Sequence, residues 1–220
     1  MDKYKVILFD LDGTLSDPKV GITKSVQYAL QKMNIVEPEI DKLECFIGPP
    51  LQVSFAEYYN FNEVQTQKAI DLYRERFKEK GMFENELYSN IPLLLNLLKE
   101  EGFTLVVATS KPTVFAEQIL EYFNIKQFEL IVGSNLDGTR VSKTEIIQYI
   151  LDKYTKHKLD DFIMIGDRKH DIIGANNNGI DSIGVTYGYG SFEELSDSNP
   201  THIVKSVNQL KDILMGSQVK

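Results

Sequence analysis

The chain has 220 residues, 42% of them hydrophobic, which is enough to bury a substantial core, and at this size one domain carrying a large insertion is a common outcome. Asp and Glu number 32 against 24 Lys and Arg, so the net charge of −8 argues against nucleic acid or an anionic membrane as main partner, and any bound phosphate must be held locally. The single Cys45 excludes an internal disulfide framework, and His157, His170 and His202 are too scattered to mark a zinc site.

MDKYKVILFD opens with charge, but its apolar run, Val6 to Phe9, is too short for the apolar region of a signal peptide. LLLNLL at 93–98 is far below the roughly 20 residues of a membrane span. With one cysteine, the expectation is a cytoplasmic protein. The first strand, VILF, ends in Asp10 and Asp12 and then breaks into Gly-Thr.

Next comes a different texture. TKSVQYALQKMN (23–34), LQVSFAEYYN (51–60) and NEVQTQKAIDLYRERFKEKG (62–81) have helical periods, with Asn62 and Glu63 as cap and first-turn acid, and no strand is expected between 16 and 88. Gly48-Pro49-Pro50 reads either as a helix-breaking turn or as a rigid turn shaping a pocket under a lid. Lys24, Arg74 and Arg76 read as solvated helix faces, and Tyr58, Tyr59 and Tyr73 as packing residues.

Beyond residue 88 the strand pattern returns in FTLVVATS (103–110), FELIVGS (128–134), DFIMIGD (161–167) and DSIGVTYG (181–188). Helical periods separate them at 91–102, 112–124, 142–154 and 169–179, several closed by Gly or Asn. Continuous apolar strands alternating with helices predict a Rossmann-like α/β core, a parallel sheet covered on both faces. Right-handed crossovers place the strand C-termini on one edge, where open α/β sheets bind ligands, and the polar terminators fall there. The predicted organisation is therefore a core of 1–15 and 88–220 and an inserted helical cap of 16–87, with hinges near 14–18 and 84–90.

Asp10 and Asp12 sit where a strand is ending, so their side chains can diverge around one reaction centre. A carboxylate there can attack phosphorus while a neighbour protonates the leaving alkoxide and later deprotonates water. Two anions repel an anionic phosphate, so a cation is required, and Mg²⁺ is the hard, oxygen-seeking candidate. Asp167 after FIMI and Asp171 one helical turn later supply further acids. Lys143, opening the SKTEII helix, is placed to neutralise phosphoryl oxygens. Thr109 and Ser110 in TSKP offer hydroxyls and backbone N–H groups at an expected helix N-terminus, although Thr109 there can equally serve as a helix cap.

DLDGT, then ATSK, then Lys143, then GDRKHD, in that order, resemble the haloacid dehalogenase superfamily of phosphatases over essentially the whole chain. GPPL at 48–51 and GDRKHD with the later GYG most resemble the phosphoglycolate phosphatase and bacterial 5′-nucleotidase-like branch. The resemblance implies Asp10 as nucleophile, Asp12 as general acid/base, and Thr109 and Lys143 as holders of the phosphoryl group. It also implies Mg²⁺ on Asp10, Asp167 and the backbone carbonyl of Asp12, with Asp171 supporting the site. Ser110, Gly48 and Pro49 are the candidate substrate contacts. Many relatives carry a small residue where this chain has Arg168, a departure beside the metal site.

The expected reaction is Mg²⁺-dependent hydrolysis of a small-molecule phosphate monoester such as phosphoglycolate, a nucleotide or a sugar phosphate. The alternatives are a phosphomutase of the same superfamily and a catalytically silent binding module. A 2-haloacid dehalogenase needs neither a metal nor a second acid, and Asp12 with the GD…D cluster argues against it.

Overall fold

The structure, a computed structural model, describes residues 4–216. Its centre is a six-stranded parallel sheet built from β1 (Val6–Phe9), β4 (Thr104–Pro112), β5 (Leu130–Ser134), β6 (Phe162–Gly166), β7 (Asp181–Val185) and β8 (His202–Val204), in the order β5-β4-β1-β6-β7-β8. Side chains alternate across each strand, so both faces collect apolar groups. Val6, Leu8, Val106, Ala108, Phe162 and Met164 pack on one face with Ile146, Ile147 and Ile150 of α6 (Lys143–Lys153) and Ala175 of α7 (Lys169–Asn177). Ile7, Phe9, Leu105, Val107, Ile163 and Ile165 pack on the other with α4 (Ile91–Glu100), α5 (Thr113–Tyr122) and α9 (Val207–Leu214). Burial on both faces explains why the strands read as continuous apolar runs.

β1 lies between β4 and β6, with Phe9 opposite both Val107 and Ile165. The segments leaving β1, β4 and β6 therefore emerge side by side. The sixth strand, β8, and the helices α8 (Phe192–Asp197) and α9 lie beyond the elements expected from sequence. β8 is an edge strand three residues long, too short to show a period.

Between β1 and α4 the chain forms α1 (Lys19–Lys32), a 3-10 segment (Ile40–Phe46), α2 (Leu51–Tyr59) and α3 (Glu63–Glu79). Asn62 caps α3 reciprocally with Gln65, as its sequence position promised. Ile22, Val26, Ala29 and Leu30 of α1 and Ala69, Ile70, Tyr73 and Phe77 of α3 are buried in an apolar cluster continuous with that of the sheet. The expectation of no strand in this region needs correction at its ends. β2 (Ser16–Asp17) and β3 (Glu86–Leu87) pair antiparallel, tying the two connections into one ribbon.

A second correction concerns TSKP. These residues do not open a helix but continue β4, and α5 begins only at Thr113, with Pro112 at its N-cap position and no side-chain cap. The register steps from Ala108 opposite Val132 to Pro112 opposite Ser134, so 109–111 bulge out of the ladder. Proline fixes its own φ and disfavours helix in the residue before it, which keeps Lys111 extended.

Candidate active site

Asp10 leaves the tip of β1 fully walled in, 3% exposed. Its Oδ1 accepts the Leu11 N–H at 2.7 Å and pairs with Lys143 Nζ at 2.8 Å, which fixes the plane of the carboxylate. Asp167, just past β6, accepts the Tyr189 N–H on Oδ2 at 2.8 Å and the Thr14 hydroxyl on Oδ1 at 3.3 Å. Asp171, in the first turn of α7, accepts the Arg168 N–H at 3.1 Å and pairs with Lys143 Nζ at 2.5 Å. Lys143 also donates to the Ala108 carbonyl at 2.8 Å, so its ammonium joins β1, β4 and α7.

One oxygen from each of Asp10, Asp167 and Asp171 lies within 4.8 Å of the others. Burial, then the charges of Asp171 and Asp10, push Asp167 well above the ordinary carboxylate range. Burial, opposed by Lys143 and reinforced by Asp10, pushes Asp171 up to about 6. Burial alone would lower Lys143, but its two carboxylates outweigh it and the ammonium is retained. Three packed acids share one ammonium, and that imbalance is what a hard divalent cation relieves. The donor set, all carboxylate oxygen, fits Mg²⁺.

Asp12 turns its side chain away from this trio. Its Oδ2 pairs with Lys111 Nζ at 2.8 Å, while its buried Oδ1 has no hydrogen-bond partner. Burial raises its pKa despite the opposing pull of Lys111, the condition of a carboxyl able to hold a proton. Asp12 then faces a cleft of about 650 Å³, counting its solvent-filled mouth. Ser110, Lys111, Phe115 and Asn135 line it from the core side, and Gly48, Pro49, Ile70, Tyr73, Arg74 and Phe77 from the insertion.

Of the residues singled out from sequence, Asp10, Asp167, Asp171 and Lys143 form one cluster, and Asp12, Ser110, Gly48 and Pro49 border the cleft. Thr109, 2% exposed at the β4 bulge, accepts the Lys111 N–H at 3.3 Å rather than capping a helix. Ser110, Gly48 and Pro49 lie on the cleft wall. Of the three cations read as solvated, Lys24 is exposed, 3.8 Å from Glu84, whereas Arg76 pairs with Glu84 at 2.8 Å and is largely covered, and Arg74 borders the cleft. Tyr73 stacks on Phe77 at 5.2 Å and also borders the cleft.

Sequence reasoning passed over Lys111, Thr14 and Tyr189. Lys111 stood inside the quoted TSKP and was the readable signal. Its Nζ lies 4.4 Å from the ring centroid of Phe77 as well as against Asp12. Nothing in GYG, which reads as a turn, announces that the Tyr189 N–H holds Asp167 and that its hydroxyl bonds Asp17 on the ribbon.

The carboxylate trio beside a buried ammonium at the C-terminal edge of the parallel sheet is the candidate active site, and the sequence comparisons name the family. The profile of haloacid dehalogenase-like hydrolases matches residues 7–185. The chain belongs to that family and is a phosphatase within it. Its similarity extends to a 5′-nucleotidase of Pseudomonas aeruginosa, 48% identical over 213 residues and 96% of either chain. A tyrosine-protein kinase PtkA of Mycobacterium tuberculosis is 34% identical over 96% of this chain and 72% of its own. A phosphoglycolate phosphatase of Vibrio parahaemolyticus is 29% identical over 96% of each. Among solved structures, a predicted phosphatase from Clostridium acetobutylicum superposes with a TM-score of 0.94 at 53% identity, covering 97% of this chain and 99% of that one. No helix among the described residues is long and apolar enough to cross a membrane.

Proposed function

We propose that this protein hydrolyses a small phosphate monoester through an aspartyl phosphate on Asp10, with Mg²⁺ held by Asp10, Asp167, Asp171 and the backbone carbonyl of Asp12. The observation that carries the reading is the division of labour between two aspartates two residues apart. Asp10 is paired with Lys143 inside the acidic trio, whereas Asp12 is buried outside it with its pKa raised. An oxygen of Asp10 attacks phosphorus, and Asp12 gives its proton to the departing alkoxide oxygen. Asp12, now a carboxylate paired with Lys111, then takes a proton from the water that cleaves the Asp10 acyl phosphate, returning both groups to their starting forms. Lys143 and the Thr109 hydroxyl hold the transferring phosphoryl oxygens. Mg²⁺ supplies positive charge against the oxygens of the phosphoryl group.

The insertion 16–87 acts as a cap that closes the cleft over the substrate and excludes bulk water. The cleft, walled by Phe46, Tyr73, Phe77 and Phe115 with Arg74, Gln52 and Asn135 among them, suits a substrate with a broad planar body more than a two-carbon acid. With the 5′-nucleotidase relative, this favours a nucleoside 5′-monophosphate. Phosphate release from 5′-AMP, 5′-UMP, 2-phosphoglycolate, glucose 1-phosphate and p-nitrophenyl phosphate tests both levels. The nucleotides are expected to give the highest kcat/KM, and preference for 2-phosphoglycolate would overturn the substrate class. Asp10→Asn is expected to abolish p-nitrophenyl phosphate hydrolysis with Mg²⁺ present, and near-normal turnover would exclude the covalent route. Full activity after exhaustive EDTA treatment would remove the metal.

A further inference from the structure

Arg168 follows Asp167 and precedes α7, and its backbone N–H already serves Asp171. Its side chain does something separate. Nε donates to Glu194 Oε1 of α8 at 2.9 Å and Nη2 to Oε2 at 3.4 Å, while Nη1 donates to the carbonyl of Ile47 in the insertion at 2.5 Å. Glu194 is itself anchored, accepting the Lys169 N–H at 2.9 Å. The Arg168 side chain is only 12% exposed, so these are charge-assisted bonds sheltered from water. Its stem presses on the next residue of the insertion. A Cβ on Gly48 would meet Arg168 Cγ at 2.7 Å, and Gly48 has φ +103°, so glycine is required there by both space and backbone. Gly48-Pro49-Pro50 is in turn part of the cleft wall.

We propose that Arg168 is a positioning residue that sets substrate specificity, latching the Gly48-Pro49-Pro50 wall of the insertion onto the loop that carries the metal-site acids. The guanidinium fork is suited to the task because it holds Glu194 with one edge and the Ile47 carbonyl with the other. A lysine ammonium on a flexible stem cannot hold both directions at once. Among the described residues, the other side-chain hydrogen bonds from core to insertion lie elsewhere, Tyr189 to Asp17 at the ribbon and Arg74 to the Leu136 carbonyl at 3.3 Å in an exposed position. Arg168 therefore tethers the insertion at the wall itself, beside the reacting centre. The wall takes its substrate-shaped position only while the latch is made. The kinetic part of this inference rests on the phosphatase reading, whereas the tethering part does not.

The test uses the full-length Mg²⁺-loaded enzyme with Arg168→Lys, and Glu194→Gln as the milder second variant. Amide hydrogen exchange without substrate is expected to quicken about tenfold at 46–48 and 51–53, with the sheet amides unchanged, because a lost charge-assisted bond frees that segment locally. KM for 5′-AMP is expected to rise about tenfold, with kcat changed less than about threefold and the Mg²⁺ half-saturation unmoved, the pattern of lost binding rather than lost chemistry. Unaltered exchange at 46–53 in both variants overturns the latch. So does a uniform quickening across the sheet, which marks a merely structural role, or a shift in Mg²⁺ half-saturation with KM unchanged. If wild-type enzyme does not hydrolyse 5′-AMP, the substrate reading fails while the exchange result still decides the latch.

Discussion

Asp12 shows how much a single side-chain direction decides. Outside the acidic trio, it keeps one oxygen on Lys111 and one buried without a partner. Replacing it with Asn keeps the shape and removes the transferable proton. Asp12→Asn is expected to lower kcat by about 10²–10⁴-fold, the range for a positioned general acid and base. Its Mg²⁺ half-saturation is expected to stay at the wild-type value, because the side chain lies outside the trio. Steady-state assays across a Mg²⁺ titration check this, and a large rise in the Mg²⁺ requirement would place the side chain on the metal instead. Asp10, Asp12, Asp167, Asp171 and Lys143 could be picked out as candidates because each follows a strand or opens a helix in a recognisable order, whereas Thr109 lies inside β4. The partnership of Asp12 with Lys111 was not legible, since a pair 99 positions apart has no local signature.

At the scale of elements, the position of Lys143 depends on how closely α6 and α7 approach. A Cβ on Gly174 of α7 would lie 2.7 Å from Lys143 Cβ and 3.0 Å from its carbonyl carbon, which forces the helices apart. Gly174→Ala is expected to destabilise the protein by about 1–3 kcal/mol, the usual cost of overpacking, measured by chemical denaturation. It is also expected to reduce phosphatase activity more than a surface Gly→Ala, because Lys143 is displaced from Asp10. An unchanged denaturation midpoint would show that the helices can yield there. Sequence periodicity placed both helices but not their contact, and a glycine inside a helix reads only as a weak spot. The same limit hid the β4 bulge. TSKP looks like the start of a helix because hydroxyls and proline are frequent there, whereas pairing of Pro112 with Ser134 extends the strand.

Across the whole molecule, acids far apart in sequence but carried just beyond the neighbouring strands β1 and β6 are gathered at a cost that a bound cation would offset. Asp167 and Asp171 have raised pKa values in the folded chain, so the metal-free fold binds protons that the unfolded chain releases. For Asp171 this makes metal-free stability greatest below its unfolded value of 3.8 and progressively smaller as pH rises toward about 6. Mg²⁺ competes with those protons, so the rise in Tm on adding it is expected to be larger at pH 7.5 than at pH 5. Calorimetry at the two pH values measures this, and an equal or smaller rise at pH 7.5 would mean that the acids do not hold the ion. Taken by itself, the sequence determined the alternation of buried strands and helices, the helical block after β1 and the residues that end on the active edge. These follow from local periodicity and from the rule that parallel strands present their ends together. Only the tertiary structure decided which acids come close enough to hold a cation together, that Lys143 and Lys111 pair with different aspartates, and that Arg168 grips the insertion at Ile47. Those are contacts between residues far apart in the chain, set by packing distance and side-chain direction, and neither quantity leaves a periodic trace in sequence.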